Sequence, residues 1–220
     1  MTARSTKGVN ICMTKGSATP TAVVPTGIAK VAVGKMAEVT ATTTGLANGD
    51  IIKIPAGGTG FSEIDGKSWV ITNLTATKFD LLGSDLTGTT GVLSATPTMQ
   101  HYANSDMVCL CLSDLKFTAE KNQIVSVATY CDPSASIPSA STTAGTVDIA
   151  GFVDITSADY PELLAAEVDG ASRLFRITLP NNGVILFPGT LAGFGWQIPL
   201  DGAVAYEASI ALGSRPVHRF

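Results

Sequence analysis

Between Thr146 and Leu212 the chain alternates apolar and polar residues in short runs, and one helical stretch interrupts them. The runs are TVDIAGFVDI, RLFRITL, VILFPGTL and AVAYEASIAL. A period of two places successive side chains on opposite faces of a strand. In RLFRITL, Phe175, Ile177 and Leu179 share one face, and Leu174, Arg176 and Thr178 the other. In AVAYEASIAL, Val204, Tyr206, Ala208, Ile210 and Leu212 share an apolar face, while Ala203, Ala205, Glu207, Ser209 and Ala211 share a small, weakly polar one. A strand with one such face suits a wall between a core and water. Pro188 in VILFPGTL requires a strand end or an edge.

The interruption reads TSADYPELLAAEVDGA. Asp159 with Glu162 three residues on is a variant of the capping box, Pro161 fits the first turn, and Gly170 is a natural C-terminal cap. Tyr160, Leu164 and Val168 fall on one face, with Leu163 beside them, and are the predicted docking residues. So short a helix is unstable alone and must pack on a sheet.

At 220 residues and 45% hydrophobic, the chain can build one large all-β domain or two small ones. The net charge of −4 argues against tight binding of nucleic acid, which needs clustered Lys and Arg. Basic residues are scattered, and the densest group, Arg215 to Arg219, reads as a solvated tail. The start MTARSTKGVNICMTKG has no apolar core of signal-peptide length, and no run approaches the roughly 20 apolar residues of a membrane span. A cytosolic product is expected. Four cysteines occur, Cys12, Cys109, Cys111 and Cys131, without a C-x-x-C motif and with only two histidines, His101 and His218. Buried free thiols are expected, since cytosolic synthesis disfavours disulfides. No metal site or cofactor is predicted.

The texture changes from about Val23 to Tyr102. Short strands, AEVTAT, DIIKIP, KSWVITNLT and KFDLLG, are separated by turn residues, with strong turn signals at Asn48-Gly49-Asp50 and Asp65-Gly66. After Tyr102, MVCLCLSDL and QIVSVATYC read as longer strands, followed by the small-residue loop DPSASIPSASTTAG from Asp132 to Gly145. Loops of that length are usually functional or disordered. No G-x-S-x-G elbow, H-E-x-x-H pair or Walker A run is present. Gly57-Gly58-Thr59-Gly60 reads as a loop, the paired acids near the helix read as caps, and neither histidine has a Cys or Asp companion at a suggestive spacing. No catalytic residues are predicted, although triads are assembled in space rather than in sequence.

Two resemblances follow from these phrases. GLANGDIIKI and EIDGKSWVITNLTATKFDLLG, over about Val39 to Gly83, resemble the small β module often found in phage structural proteins and named for the FCCH domain of ubiquitin-activating enzymes. Thr44 stands where that family often has His. The shared name implies no ubiquitin chemistry. GTVDIAGF, RITLP, ILFPGT and PLDGAVAYEASIAL resemble the major tail tube proteins of long-tailed, non-contractile phages.

The tail-tube resemblance implies a mainly β fold, a β-sandwich or half-barrel flanked by one short α-helix. It implies a tail tube domain over residues 1–22 and 103–220, with 23–102 as an inserted all-β module. It further implies a non-enzymatic virion protein, assembled in the host cytoplasm, whose hexameric rings stack into the conduit for DNA. Its partners would be copies of itself, the tape measure protein inside the tube, and the terminator and baseplate proteins at its ends. DNA would pass without specific binding. Ala205, Glu207 and Ser209 are then the candidates to line the lumen. Asp132, Pro133, Ser134, Ile137, Pro138 and Ser139 are the candidates for an inter-ring loop. Glu207 either faces the channel or pairs with Arg173 or Arg176 across the sheet. The rival readings are a surface-binding adhesin or fibre module, and a head-completion protein.

Overall fold

The computed structural model describes residues 9–30, 36–57, 59–87, 97–118, 121–126, 136–143, 145–154, 156–180, 183–198, 203–213 and 217–219. Within them the protein is mainly β, with a single α-helix, as its alternating runs require. The strands are β1 (Asn10–Thr14), β2 (Thr21–Val23), β3 (Pro25–Lys30), β4 (Ala37–Ala41), β5 (Ile51–Lys53), β6 (Ser68–Thr72), β7 (Lys78–Leu81) and β8 (Met99–Tyr102). There follow β9 (Met107–Leu110), β10 (Leu112–Thr118), β11 (Lys121–Ser126), β12 (Ser136–Thr143) and β13 (Thr146–Phe152). After the helix α1 (Asp159–Asp169) come β14 (Arg173–Thr178), β15 (Val184–Gln197), β16 (Ala205–Leu212) and β17 (Val217–Arg219).

The chain folds into two compact units. One takes in the described residues of Cys111–Arg173 and Pro188–Arg215, the other those of Thr6–Leu110, Leu174–Phe187 and Pro216–Phe220. These bounds differ from the texture boundaries at 23 and 102. In the second unit Ile51 and Val70, from the turn-rich segment, share a buried cluster with Cys12, Met107, Leu174, Val184 and Leu186. Burial therefore groups residues that chain order separates.

In the first unit, β10, β13, β16 and the later part of β15 form an antiparallel sheet in that order. The apolar residues of its alternating strands, among them Val147, Ile149, Tyr206, Ala208 and Ile210, are buried, as are Leu163 and Ala166 of α1. Gly151 is required here by close approach, because a Cβ would lie 2.3 Å from the Cys111 carbonyl and 2.7 Å from the Tyr206 ring. The helix departs from its expected N-terminus. Ala158 is the N-cap and makes no side-chain cap bond. Asp159 instead accepts hydrogen bonds from the Cys111 and Tyr160 backbone N–H groups, each at 3.0 Å. Gly170 closes the helix in the left-handed region (φ 58°), as its position predicts.

The docked helix face also needs correction. Asp159, Leu163 and Ala166 are its buried residues, Tyr160 and Leu164 are half-buried, and Val168 is 85% exposed. The inward face centres on Leu163, one residue before the expected Leu164. A spacing of three from Leu163 to Ala166 fits the period as well as the spacing of four chosen from the sequence.

The second unit holds a seven-stranded arrangement, β2-β8-β5-β6-β7-β4-β3, together with β14-β1-β9 and β17 paired to the start of β15. Its main cluster contains Trp69, Phe79, Ile52, Ile54, Ile64, Ile71, Leu81 and Met99. Burying each large side chain of this kind contributes roughly 1.5–3 kcal/mol. The cysteines also differ from expectation. Cys12 stands directly opposite Cys109 in the antiparallel pair β1–β9, and the two are joined as a disulfide rather than held as free thiols. They lie 97 residues apart in sequence, so no spacing rule reveals them.

Candidate functional site

The polar face of β16 becomes a surface only through the strands beside it. Its burial alternates without a break: Tyr206, Ala208, Ile210 and Leu212 are buried, while Ala205, Glu207, Ser209 and Ala211 remain open to solvent to varying degrees. β13 repeats the pattern, with Val147, Ile149 and Gly151 buried and Thr146, Asp148 and Ala150 on the open side. Residues directly opposite each other in a ladder point to the same face. The register therefore extends the open face across four strands. One row is Lys116, Asp148, Ser209 and Gly193, and the next is Asp114, Ala150, Glu207 and Gly195.

The result is a shallow wall with a depression of about 590 Å³, lined by Asp114, Lys116, Asp148, Gly193, Glu207 and Ser209 among others. Three carboxylates stand there against one ammonium. The Ser209 hydroxyl is hydrogen-bonded to the Asp148 carboxylate. The Gln197 amide donates to Glu207 Oε1 at 2.6 Å. Gly193 and Gly195 are not demanded by packing, since a Cβ on either meets nothing within 4 Å. Their effect is to keep the wall low and free of side chains. A face of this composition holds water and repels phosphate rather than gripping it.

The opposite side of the same sheet is aromatic, with Tyr206 buried, Phe194 half-buried and Trp196 54% exposed at the sheet's end. Phe194 stacks on Tyr206 with ring centroids 5.9 Å apart, Trp196 meets Phe194 edge-on at 5.3 Å, and the Trp196 indole donates to the Tyr160 hydroxyl at 2.9 Å. Burial pushes the Tyr206 phenol well above its ordinary pKa, and the nearby Asp159 and Cys111 act in the same direction. A carboxylate at position 207 would be costly on this side and is cheap on the wet one.

The structure thus brings Ala205, Glu207 and Ser209 together on one open face and adds Asp114, Lys116 and Asp148, which sequence reasoning missed. The alternation of TVDIAGF offered Asp148, but no local signal says that β13 pairs with β16. The ion pairs considered for Glu207 do not form. Arg173 pairs with Asp169, and Arg176 donates to the Gly49 carbonyl and to Asn104 Oδ1. The predicted inter-ring loop is partly strand: Ser136–Thr143 forms β12, with Ile137 opposite Val125 and Pro138 opposite Ile124 in a pairing with β11. Ser139 lies within β12. Ser and Thr serve turns and strands alike, so this stretch reads as a loop from sequence although Ser136–Thr143 pairs as a strand. Asp132, Pro133 and Ser134 lie outside the described residues. Among the described residues no group of three or more His, Cys, Asp or Glu side chains is placed to hold a metal ion. None of the helices among them is long and apolar enough to cross a membrane.

No known family and no curated protein matches the sequence. Solved structures resemble part of the fold, two of them from gene transfer agent particles. One is the virion of a native gene transfer agent particle, at 13% identity and a TM-score of 0.39, covering 50% of this chain and 86% of that one. The other is the tail of an empty gene transfer agent particle, computed with helical refinement and C6 symmetry, at 12% identity and a TM-score of 0.42, covering 53% of this chain and 89% of that one.

Proposed function

We propose that this chain is a structural protein of a virion tail, whose hexameric rings stack into a tube for DNA delivery. The observation that carries the reading is the open face of β10, β13, β16 and β15. It is four strands wide, carries three carboxylates and one lysine among mostly small residues, and backs onto buried apolar side chains. A conduit for DNA needs a wetted wall without clustered cations, and this face meets that need. Two of the phrases resembling major tail tube proteins, GTVDIAGF and PLDGAVAYEASIAL, contain β13 and β16 of this face. Joining such sheets edge to edge around a ring removes open strand edges that otherwise invite aggregation. In this reading Ala205, Glu207 and Ser209 line the lumen, and the stretch from Asp132 to Gly145 is the contact to the next ring. Residues 23–102 are an insertion that decorates the tube. The partners are copies of this chain, a tape measure protein in the lumen, and terminator and baseplate proteins at the ends.

Electron microscopy of the purified protein tests this. Rings and stacked tubes about 100 Å wide are expected, the scale set by roughly 24 strands closing an inner barrel. A strictly monomeric protein at high concentration, with no labelled tubes in intact virions, overturns it. Given tubes, Glu207→Lys is expected to assemble normally and to slow DNA passage by attracting phosphate. Normal passage in that variant moves Glu207 off the channel wall.

A further inference from the structure

A second site, unrelated to the open sheet face, lies wholly within the other compact unit. Its parts come from three places in the chain. The Asn48-Gly49 turn delivers Asp50 to the start of β5, His101 lies on β8, and Thr21 on β2. His101 Nε2 is 2.8 Å from Asp50 Oδ2, and His101 Nδ1 is 2.8 Å from Thr21 Oγ1. Asp50 is 2% exposed and His101 is 6% exposed, whereas Thr21 is open to solvent.

For a neutral His101 ring, counting donors gives these bonds a direction. Asp50 accepts the Ala47 backbone N–H on Oδ2 and the Asn104 backbone N–H on Oδ1, each at 2.8 Å. Both Asp50 oxygens thus already act as acceptors, and a carboxylate oxygen takes a further donor rather than giving one. His101 Nε2 must therefore carry the proton it shares with Asp50. In the neutral ring this leaves a lone pair on Nδ1, so the Thr21 hydroxyl donates to it. The arrangement is a hydroxyl, a base and an orienting carboxylate in series, within the distances expected of an activated nucleophile.

The hydroxyl opens onto a cleft of about 480 Å³ lined by Thr21, Val24, Thr42, Leu46, His101 and Asp106 among others. Its mixed apolar and hydroxyl lining suits a short acyl group, and Asp106 disfavours an anion. β2 is the last strand of its sheet, so one of its edges carries backbone N–H groups not used by the ladder.

We infer that Thr21, His101 and Asp50 form a nucleophilic relay that hydrolyses small, uncharged carboxylic esters. Thr21 Oγ1 bonds to the acyl carbon as its proton passes to His101 Nδ1. The ester C–O bond then breaks, and the departing alkoxide takes that proton. Water attacks the Thr21 ester with its proton going to Nδ1, the Oγ1–acyl bond breaks, and Thr21 recovers the proton. Asp50 holds the Nε2–H of His101 and acts as a positioning residue.

The test uses the full chain with p-nitrophenyl acetate as probe. Wild-type protein is expected to release nitrophenolate, and peptide mapping of quenched samples is expected to find an acetyl group on Thr21. Thr21→Val keeps the shape of an exposed, β-branched strand residue and is expected to lower the rate roughly 100-fold or more. Thr21→Ser, which restores a hydroxyl, is expected to recover it. Equal rates in wild type and Thr21→Val overturn the relay. So does acetylation found on lysines alone, a result read from the wild-type protein without any variant.

Discussion

β16 and β6 are both short strands inside antiparallel sheets, yet their burial follows different rules. β16 alternates buried and open positions from end to end, whereas β6 buries four residues in succession, Ser68, Trp69, Val70 and Ile71. The difference lies in what covers each sheet. Trp69 and Ile71 enter the cluster that holds Phe79 and Leu81, while Val70 enters the one that holds Cys12, Leu174 and Leu186. Both faces of β6 are dry. On β16 only the Tyr206 face is dry, and the Glu207 face meets water. A sheet dry on both faces can serve packing alone, while a sheet wet on one face has a surface left over for work. This is why the candidate wall lies in the unit of β16 rather than in that of β6.

Paired substitutions in β5 test the two-sided core most severely. Ile51 and Ile52 are adjacent and fully buried, yet they belong to different clusters. Each change to Ala is expected to cost about 2–5 kcal/mol by denaturant unfolding. A cost well below 1 kcal/mol for Ile51→Ala alone would show that the second face is wet and erase the contrast with β16.

Glycine substitutions sharpen the contrast within the one-sided sheet. Gly151→Ala drives a Cβ into the Cys111 carbonyl and the Tyr206 ring, and overpacking of this kind costs about 1–3 kcal/mol. Gly195→Ala meets open space, and its effect is expected to be near zero or slightly stabilising. Melting curves that rank the two in the opposite order would put the dry face on the wrong side of β15.

A smaller effect is expected at alkaline pH. The Tyr206 phenol is raised by burial in the folded protein, so the folded state holds its proton more tightly than the unfolded chain does. Its contribution is complete below the unfolded value of about 10 and is lost as pH rises above it. Tyr102, also raised by burial, adds a contribution of the same sign. Stability measured across that range is expected to decline, and Tyr206→Phe is expected to flatten the slope. An unchanged slope in the variant would mean that Tyr206 is not in a dry site. The smallest effect belongs to the wet face: Glu207→Gln is expected to change stability by no more than about 0.5 kcal/mol. A loss several times larger would reveal a structural role for its bond to Gln197.

The sequence determined what depends on residues close in the chain. The period of two in TVDIAGF and AYEASIAL fixed which side chains share a face, and Gly170 fixed where the helix ends. Tertiary structure decided whatever depends on residues brought together from afar. Asp148 beside Ser209, Cys12 against Cys109, and His101 between Asp50 and Thr21 are all products of strand pairing. The same limit explains the docked face of α1, where Leu163 and Ala166 face inward although Tyr160, Leu164 and Val168 fit the period equally well. It also explains β12, whose Ser and Thr residues become a strand only because β11 lies alongside. Alternation says that a residue points up or down. Only the neighbouring strand, chosen by burial over the whole chain, says what it meets there.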